Sequence, residues 1–124
     1  MALLRLRTEY DEMKQVPSPG CFAEPTGNMF LWTGWITGPE NSQYEDGIFH
    51  LNIEFPMDYP FSPPTIKFTT QIYHLNVSSD GTPDLKILER EQWSPIWTID
   101  MVLLELQTLL SEPDLDRQAS GPLV

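Results

Sequence analysis

The sequence predicts an α+β fold: a helix, an antiparallel meander sheet of about four strands, a long ordered loop and a second helix. Apolar residues recur at helical spacing near both ends of the chain and alternate with polar residues between them. The links between the predicted strands are short, which antiparallel pairing allows and parallel pairing does not. With 124 residues, we expect a single domain covering residues 1–124.

The first predicted helix covers residues 2–15. Its polar residues, Glu9 among them, are expected on the solvent side. It ends before Val16-Pro17, because the residue preceding a proline is displaced from helical conformations. Cys21 is then expected in the loop that follows. The apolar face comprises Leu3, Leu6, Tyr10 and Met13.

Three segments predict strands. Residues 29–37 are rich in aromatic and β-branched side chains and stop at a Gly-Pro turn signal. Residues 49–55 alternate apolar with polar side chains, which is typical of a strand with one buried face. Residues 64–70 predict a shorter strand with Ile66 and Phe68 facing inward.

A long segment without periodicity, residues 71–97, separates the last strand from the second helix. Loops of this length in compact domains usually carry function. Thr98 is a favourable cap for the helix that follows, whereas Met101 and Leu104 fall away from its main apolar stripe and should be more exposed. That stripe comprises Ile99, Val102, Leu103, Leu106, Leu109 and Leu110.

The composition excludes several classes of function. A net charge of −11 disfavours nucleic acid or an anionic membrane as a partner. No run of about 18 apolar residues would span a bilayer. One cysteine and two histidines do not form a zinc site, and no metal or cofactor is expected. The first residues lack an apolar signal sequence, so we expect a cytoplasmic or nuclear protein, or one found in both.

Three motifs, taken in order and spacing, resemble the ubiquitin-conjugating enzyme family over nearly the whole chain. They are Tyr59-Pro60-Phe61-Ser62-Pro63-Pro64, Ile72-Tyr73-His74-Leu75-Asn76 and Gln92-Trp93-Ser94-Pro95. The chain is most similar to the small, single-domain class that serves RING-type ligases. The Tyr59-Pro60 bond could be cis or trans on sequence alone. Trp93 and Trp97 are interpreted as packing residues rather than ligand contacts.

The resemblance implies that Asp84 occupies the position of the family's catalytic cysteine. A carboxylate is a poor nucleophile whose acyl product would be a hydrolysable anhydride, so we expect no enzyme activity. Its charge would also oppose stabilisation of an oxyanion. Asn76 and His74 are interpreted as remnants of the site with structural roles, and Cys21 as a buried or edge thiol.

Other departures lie beside this position. Leu75 replaces the family's proline, and one extra residue lies between Leu88 and Trp93. The family's acidic gate region corresponds here to Asp116 and Arg117, where an arginine would not help to deprotonate an incoming lysine.

The resemblance also implies a ligase-binding surface. Phe61 is expected either as an exposed apolar knob or as a self-packed side chain. Leu4 and Thr8 stand at positions that are basic in close relatives, so loading with ubiquitin by the activating enzyme should be weakened. Phe22 replaces a small polar residue near the family's non-covalent ubiquitin-binding face. The partner-binding residues implied are Arg5, Phe61, Ser94, Pro95 and Ile96.

These features predict a non-catalytic variant that acts as an adaptor, cofactor or competitor. Its partners would be a RING-type ligase, a catalytic conjugating enzyme or ubiquitin. Two alternatives remain, namely unusual residual transferase activity and an inert truncated duplicate. We further expect the two C-terminal helices of the family to be missing, which would leave Met101 and Leu104 uncovered.

Overall fold

The computed structural model describes residues 1–116. It confirms the α+β fold, with two α-helices and one four-stranded antiparallel sheet. The expected lack of two C-terminal helices concerns a part of the chain outside the described residues. The elements are α1 (Ala2–Gln15), β1 (Cys21–Pro25), β2 (Leu31–Thr37), β3 (Ile48–Glu54), β4 (Thr65–Phe68), a one-turn 3₁₀ helix (Lys86–Leu88) and α2 (Ile99–Ser111).

The strands pair in chain order, β1-β2-β3-β4, with every neighbouring pair antiparallel. The predicted segments 29–37, 49–55 and 64–70 each contain a strand, shifted or shortened by one or two residues at their ends. Strand β1 was not predicted, and the expectation that Cys21 lies in a loop is wrong. A five-residue segment ending in Glu24-Pro25 has little propensity of its own, and it becomes a strand by pairing with β2.

Both helices pack on one face of the sheet. All six residues of the predicted α2 stripe are buried, which confirms that stripe. Helix α2 contacts β1 and β2, while α1 contacts β1 and α2. Thr98 caps α2 as predicted, its hydroxyl accepting a hydrogen bond from the Met101 amide at 3.2 Å. The sheet's contribution to the core includes Trp32, Ile36, Leu51, Ile53, Ile66 and Phe68.

The buried face of α1 differs from the predicted one. Leu3 is 49% exposed and Glu9 is 5% exposed, so both assignments were wrong. The core-facing positions are Ala2, Leu6, Glu9 and Met13, which also follow helical spacing. A carboxylate takes the core side because hydrogen-bond donors surround it there, as described below.

Two side chains of α2 point away from the sheet. Met101 is 43% exposed and Leu104 is 37% exposed, whereas the core-facing Leu103 and Leu106 are completely buried. The predicted exposure of Met101 and Leu104 is therefore confirmed. Among residues 1–116, neither helix has the length and apolar character needed to cross a membrane.

Candidate functional site

The loop after β4 folds back on itself and brings His74, Asn76 and Asp84 together. The Asp84 amide donates to the Asn76 carbonyl at 2.7 Å. Val77 forms isolated bridges with His74 on one side and Pro83 on the other. His74 and Asn76 are buried, whereas Asp84 is half-buried. We call these residues, 74–84, the acidic-site loop.

His74 fastens the acidic-site loop to α2. Its Nδ1 accepts from the Asn76 amide at 2.9 Å, so the proton of the neutral ring lies on Nε2. Nε2 then donates to the Leu109 carbonyl at 2.8 Å. Burial lowers the pKa of His74 below its ordinary 6.5, and the Leu109 contact offsets this only in part. The uncharged ring acts here as an anchor.

Asn76 joins the acidic-site loop to the segment after α2. Its side chain is completely buried, and Nδ2 donates to the Asp114 carbonyl at 3.0 Å. The Asp114 amide returns a hydrogen bond to Oδ1 at 2.8 Å. Both ends of the amide are thus engaged with one backbone residue, which fits a structural role.

Three of the predicted partner residues are exposed apolar side chains on two loops. Phe61 is 73% exposed and Ile96 is 76% exposed, with Pro95 exposed as well. Of the two alternatives for Phe61, the exposed knob is the one observed. Ser94, also predicted, is half-buried beside them. We call Phe61, Pro95 and Ile96 the apolar knob.

The two loops that carry the apolar knob are directly connected. Trp93 is buried, and its Nε1 donates to the Pro60 carbonyl at 2.7 Å. The peptide bond between Tyr59 and Pro60 is cis. Trp97 is half-buried against the core, so both tryptophans are packing residues as interpreted.

Arg5 differs from the other predicted partner residues because its guanidinium is engaged within the chain. Nε forms an ion pair with Glu9 at 2.6 Å, and Nη2 donates to the Pro95 and Trp97 carbonyls at 2.8 and 2.9 Å. Arg5 therefore fixes the backbone of the knob loop that contains Pro95 and Ile96. Sequence reasoning missed Glu9, although its spacing from Leu6 and Met13 was a usable signal.

In a comparison with protein-family models, the model described as "Ubiquitin-conjugating enzyme" matches residues 5–122. The chain belongs to the ubiquitin-conjugating enzyme family. The match covers α1 from Arg5 onward, the sheet, the acidic-site loop, the apolar knob and α2. Proteins of this family generally interact with ubiquitin and with ubiquitin ligases.

The single cysteine of this ubiquitin-conjugating enzyme family member lies on the other side of the strand order from the acidic-site loop. Cys21 is 1% exposed in β1, at the sheet edge opposite β4, which leads into that loop. Burial, followed by the nearby Asp100 carboxylate, raises the pKa of Cys21 to about 11. Burial and a raised pKa both disfavour the reactive thiolate form.

Other predicted positions in this family member are placed as follows. Leu4 is 66% exposed on α1, and the exposed Thr8 donates its hydroxyl proton to the Leu4 carbonyl. Phe22 pairs with Trp35 on the sheet face opposite the helices. Leu75 is half-buried. Asp116 is exposed, whereas Arg117 lies outside the described residues.

Within residues 1–116, no group of three or more His, Cys, Asp or Glu side chains could hold a metal ion.

Proposed function

We propose that this protein is a non-catalytic member of its family that acts as an adaptor, cofactor or competitor in ubiquitin conjugation. Its partner would be a RING-type ligase, a catalytic conjugating enzyme or ubiquitin itself. The observation that carries the proposal is Asp84, which stands where the family resemblance expects a cysteine. Transthiolation needs a thiolate at that point, and an oxygen acid does not replace it.

The position of Cys21 supports the proposal. It is the only sulfur nucleophile in the sequence, and it is buried in an edge strand with a raised pKa. It lies in β1 at one edge of the sheet, whereas the acidic-site loop follows β4 at the other edge. Transfer through Cys21 would require β1 to leave the sheet, which would expose the core.

The apolar knob supports the binding half of the proposal. Phe61 and Ile96 are large apolar side chains with about three quarters of their surface exposed. Most large apolar side chains of the sheet and of α2 are buried in the core. Exposed apolar groups of this size, set on a rigid base, are typical of contact sites for partner proteins. The buried Trp93–Pro60 hydrogen bond joins the two loops that carry these side chains.

A loading assay tests the absence of catalysis. The protein is mixed with activating enzyme, ATP and labelled ubiquitin, and a catalytic family member serves as the positive control. We expect no thiol-reducible adduct on the wild-type chain. A reducible adduct that disappears in Cys21→Ser would overturn the proposal in favour of residual transferase activity.

A titration tests the binding half. The ¹⁵N-labelled protein is titrated with an isolated RING domain, with ubiquitin and with a catalytic conjugating enzyme, and the shifted amides are mapped. We expect the RING domain to shift Phe61 and Ile96. No shift with any of the three would favour an inert duplicate and would overturn the adaptor proposal.

A further inference from the structure

We propose that Glu9 is the positioning residue of the apolar knob: one buried carboxylate holds both knob loops and the start of α2 in a fixed arrangement. The proposal assigns a role to a residue that itself makes no contact with the partner. Its functional meaning rests on the proposed binding of a RING domain, and the experiments below separate the two.

Glu9 is the meeting point of three separate parts of the chain. Oε2 accepts from Arg5 Nε at 2.6 Å and from the Tyr59 hydroxyl at 2.7 Å. Oε1 accepts from the Ile99 amide, the first residue of α2, at 2.7 Å. Only 4% of the Glu9 side chain is exposed, so these bonds lie in a shielded environment and are correspondingly strong.

Two of the three contacts of Glu9 connect it to the knob loops. Tyr59 lies two residues before Phe61, and Arg5 donates to the carbonyls of Pro95 and Trp97 on either side of Ile96. The Arg5 guanidinium also lies 5.7 Å from the centre of the Tyr59 ring. Glu9 therefore fixes Phe61 through Tyr59 and fixes Ile96 through Arg5.

The protonation states support this arrangement. Burial, followed by the neighbouring Glu9 carboxylate, raises the pKa of Tyr59 well above its ordinary value. Tyr59 is thus a phenol that donates to Glu9 throughout the neutral range. All three groups around the carboxylate are donors, and only a group that accepts on both of its atoms satisfies them.

Glu9→Gln is the informative variant because it changes the hydrogen-bond pattern at nearly constant volume. A glutamine presents one acceptor and one NH₂ group, so the NH₂ must face either the Ile99 amide or the Arg5–Tyr59 pair. The matched control is Glu12→Gln, one turn further along α1 with its side chain exposed.

Hydrogen exchange of the free proteins tests the positioning role without any partner. In Glu9→Gln we expect the amides of Phe61 and Trp97 to exchange about tenfold faster or more, relative to the Leu51 amide of the central strand β3. Both amides are hydrogen-bonded in the wild type. Glu12→Gln should leave all three unchanged. Equal acceleration at all three sites in Glu9→Gln, or none, would overturn the proposal.

Titration with an isolated RING domain tests the functional consequence. At a temperature where every variant is folded, we expect Glu9→Gln to weaken binding by about tenfold and Glu12→Gln by less than about twofold. If Glu9 acts through the knob loops, the effect of Glu9→Gln should shrink in an Ile96→Ala background. An undiminished effect in that background would count against positioning, since a remote effect on stability adds independently.

The two experiments fail in different ways. If the wild-type protein does not bind the RING domain, a RING-type ligase is removed from the proposed partners and the effect of Glu9 on RING binding is overturned with it. Hydrogen exchange of the free protein still decides whether Glu9 orders the knob loops. A wild type that binds, with Glu9→Gln binding equally well, overturns the inference about Glu9 and leaves the proposed function standing.

Discussion

The side-chain amide of Asn76 is paired with the backbone of Asp114 by two hydrogen bonds, of 3.0 and 2.8 Å. The two hydrogen bonds connect the acidic-site loop to the segment after α2. His74, two residues earlier, bonds to Leu109 within α2. His74 and Asn76 thus hold the acidic-site loop against α2 and the segment that follows it.

Asn76→Ala should destabilise the protein measurably. The variant removes both hydrogen bonds and leaves the partly buried amide and carbonyl of Asp114 without these partners, which costs about 1–3 kcal/mol. Urea denaturation should show a lower midpoint with an unchanged slope. Asn52→Ala on the exposed face of β3 is the control and should have little effect. Equal stability of the two variants would contradict the fastening role.

His74 should make the free energy of unfolding depend on pH. Its pKa is lowered in the folded state, so below 6.5 the unfolded chain binds a proton that the folded chain does not. Stability is therefore fully present above that value and decreases as the pH falls through it. Denaturation measured at several pH values between about 7.5 and 5.5 should show this decrease, before most carboxylates titrate.

Two glutamine variants assign that pH dependence. His74→Gln removes the titrating ring and should flatten the decrease between about pH 7.5 and 5.5. His50→Gln changes the other histidine, which is exposed on β3, and should retain the decrease. A wild-type slope that survives in His74→Gln would assign the effect to another group.

Cys21 should be almost unreactive toward a thiol reagent. With a pKa of about 11 and 1% exposure, it should react at least about a hundredfold more slowly in the folded protein than in denaturant. The control is the double variant Cys21→Ser/Ser79→Cys, which places a thiol at an exposed turn. Rapid labelling of the folded wild type would show that β1 opens readily.

Phe61→Ala should reduce partner binding without reducing stability. Since 73% of Phe61 is exposed, the change in free energy of unfolding should stay within about 0.5 kcal/mol. Binding of a RING domain, followed by calorimetry, should weaken by more than about 1 kcal/mol. Val16→Ala removes a similarly exposed apolar side chain away from the knob and should leave binding intact. Parallel effects of the two would argue against a defined contact site.

Gly81 should not tolerate a side chain, whereas Gly27 should. Gly81 has a φ of +95°, and an added Cβ would lie 2.3 Å from the Phe68 carbonyl oxygen on β4. Gly81→Ala should therefore cost about 1–3 kcal/mol in thermal or urea denaturation. Gly27 has no atom within 4 Å of its added Cβ, so Gly27→Ala is the matched control. A neutral Gly81→Ala would show that the turn before Asp84 can relax.

The parts of the fold that could be predicted from the sequence depend on local patterns. The apolar stripe of α2 follows from helical spacing, and the inward positions of β4 follow from alternation. The Thr98 cap follows from its residue type, since threonine is favoured at the start of a helix. Strand β1 has no such pattern. It is a strand because its backbone pairs with that of β2, and this pairing is a tertiary contact.

In the candidate site, too, the sequence pattern indicates which residues matter, whereas tertiary contacts decide what surrounds them. The resemblance of its motifs to the ubiquitin-conjugating enzyme family singles out His74, Asn76, Asp84 and Phe61 as residues of interest. Their surroundings are not contained in that pattern. Asp114, which pairs with the Asn76 side chain, lies 38 residues away and after α2, and Leu109, which accepts from His74, lies 35 residues away within α2. These contacts form only when the helix packs against the loop.

Taken alone, the amino-acid sequence determined the two helices, most of the sheet, the family resemblance and the acid at position 84. Tertiary structure decided that Leu3 faces solvent, that Glu9 is buried and that Arg5 supports a loop. The physical reason is that a carboxylate can be buried only where donors meet it. The donors that meet Glu9 include Tyr59 and the Ile99 amide, 50 and 90 residues away along the chain.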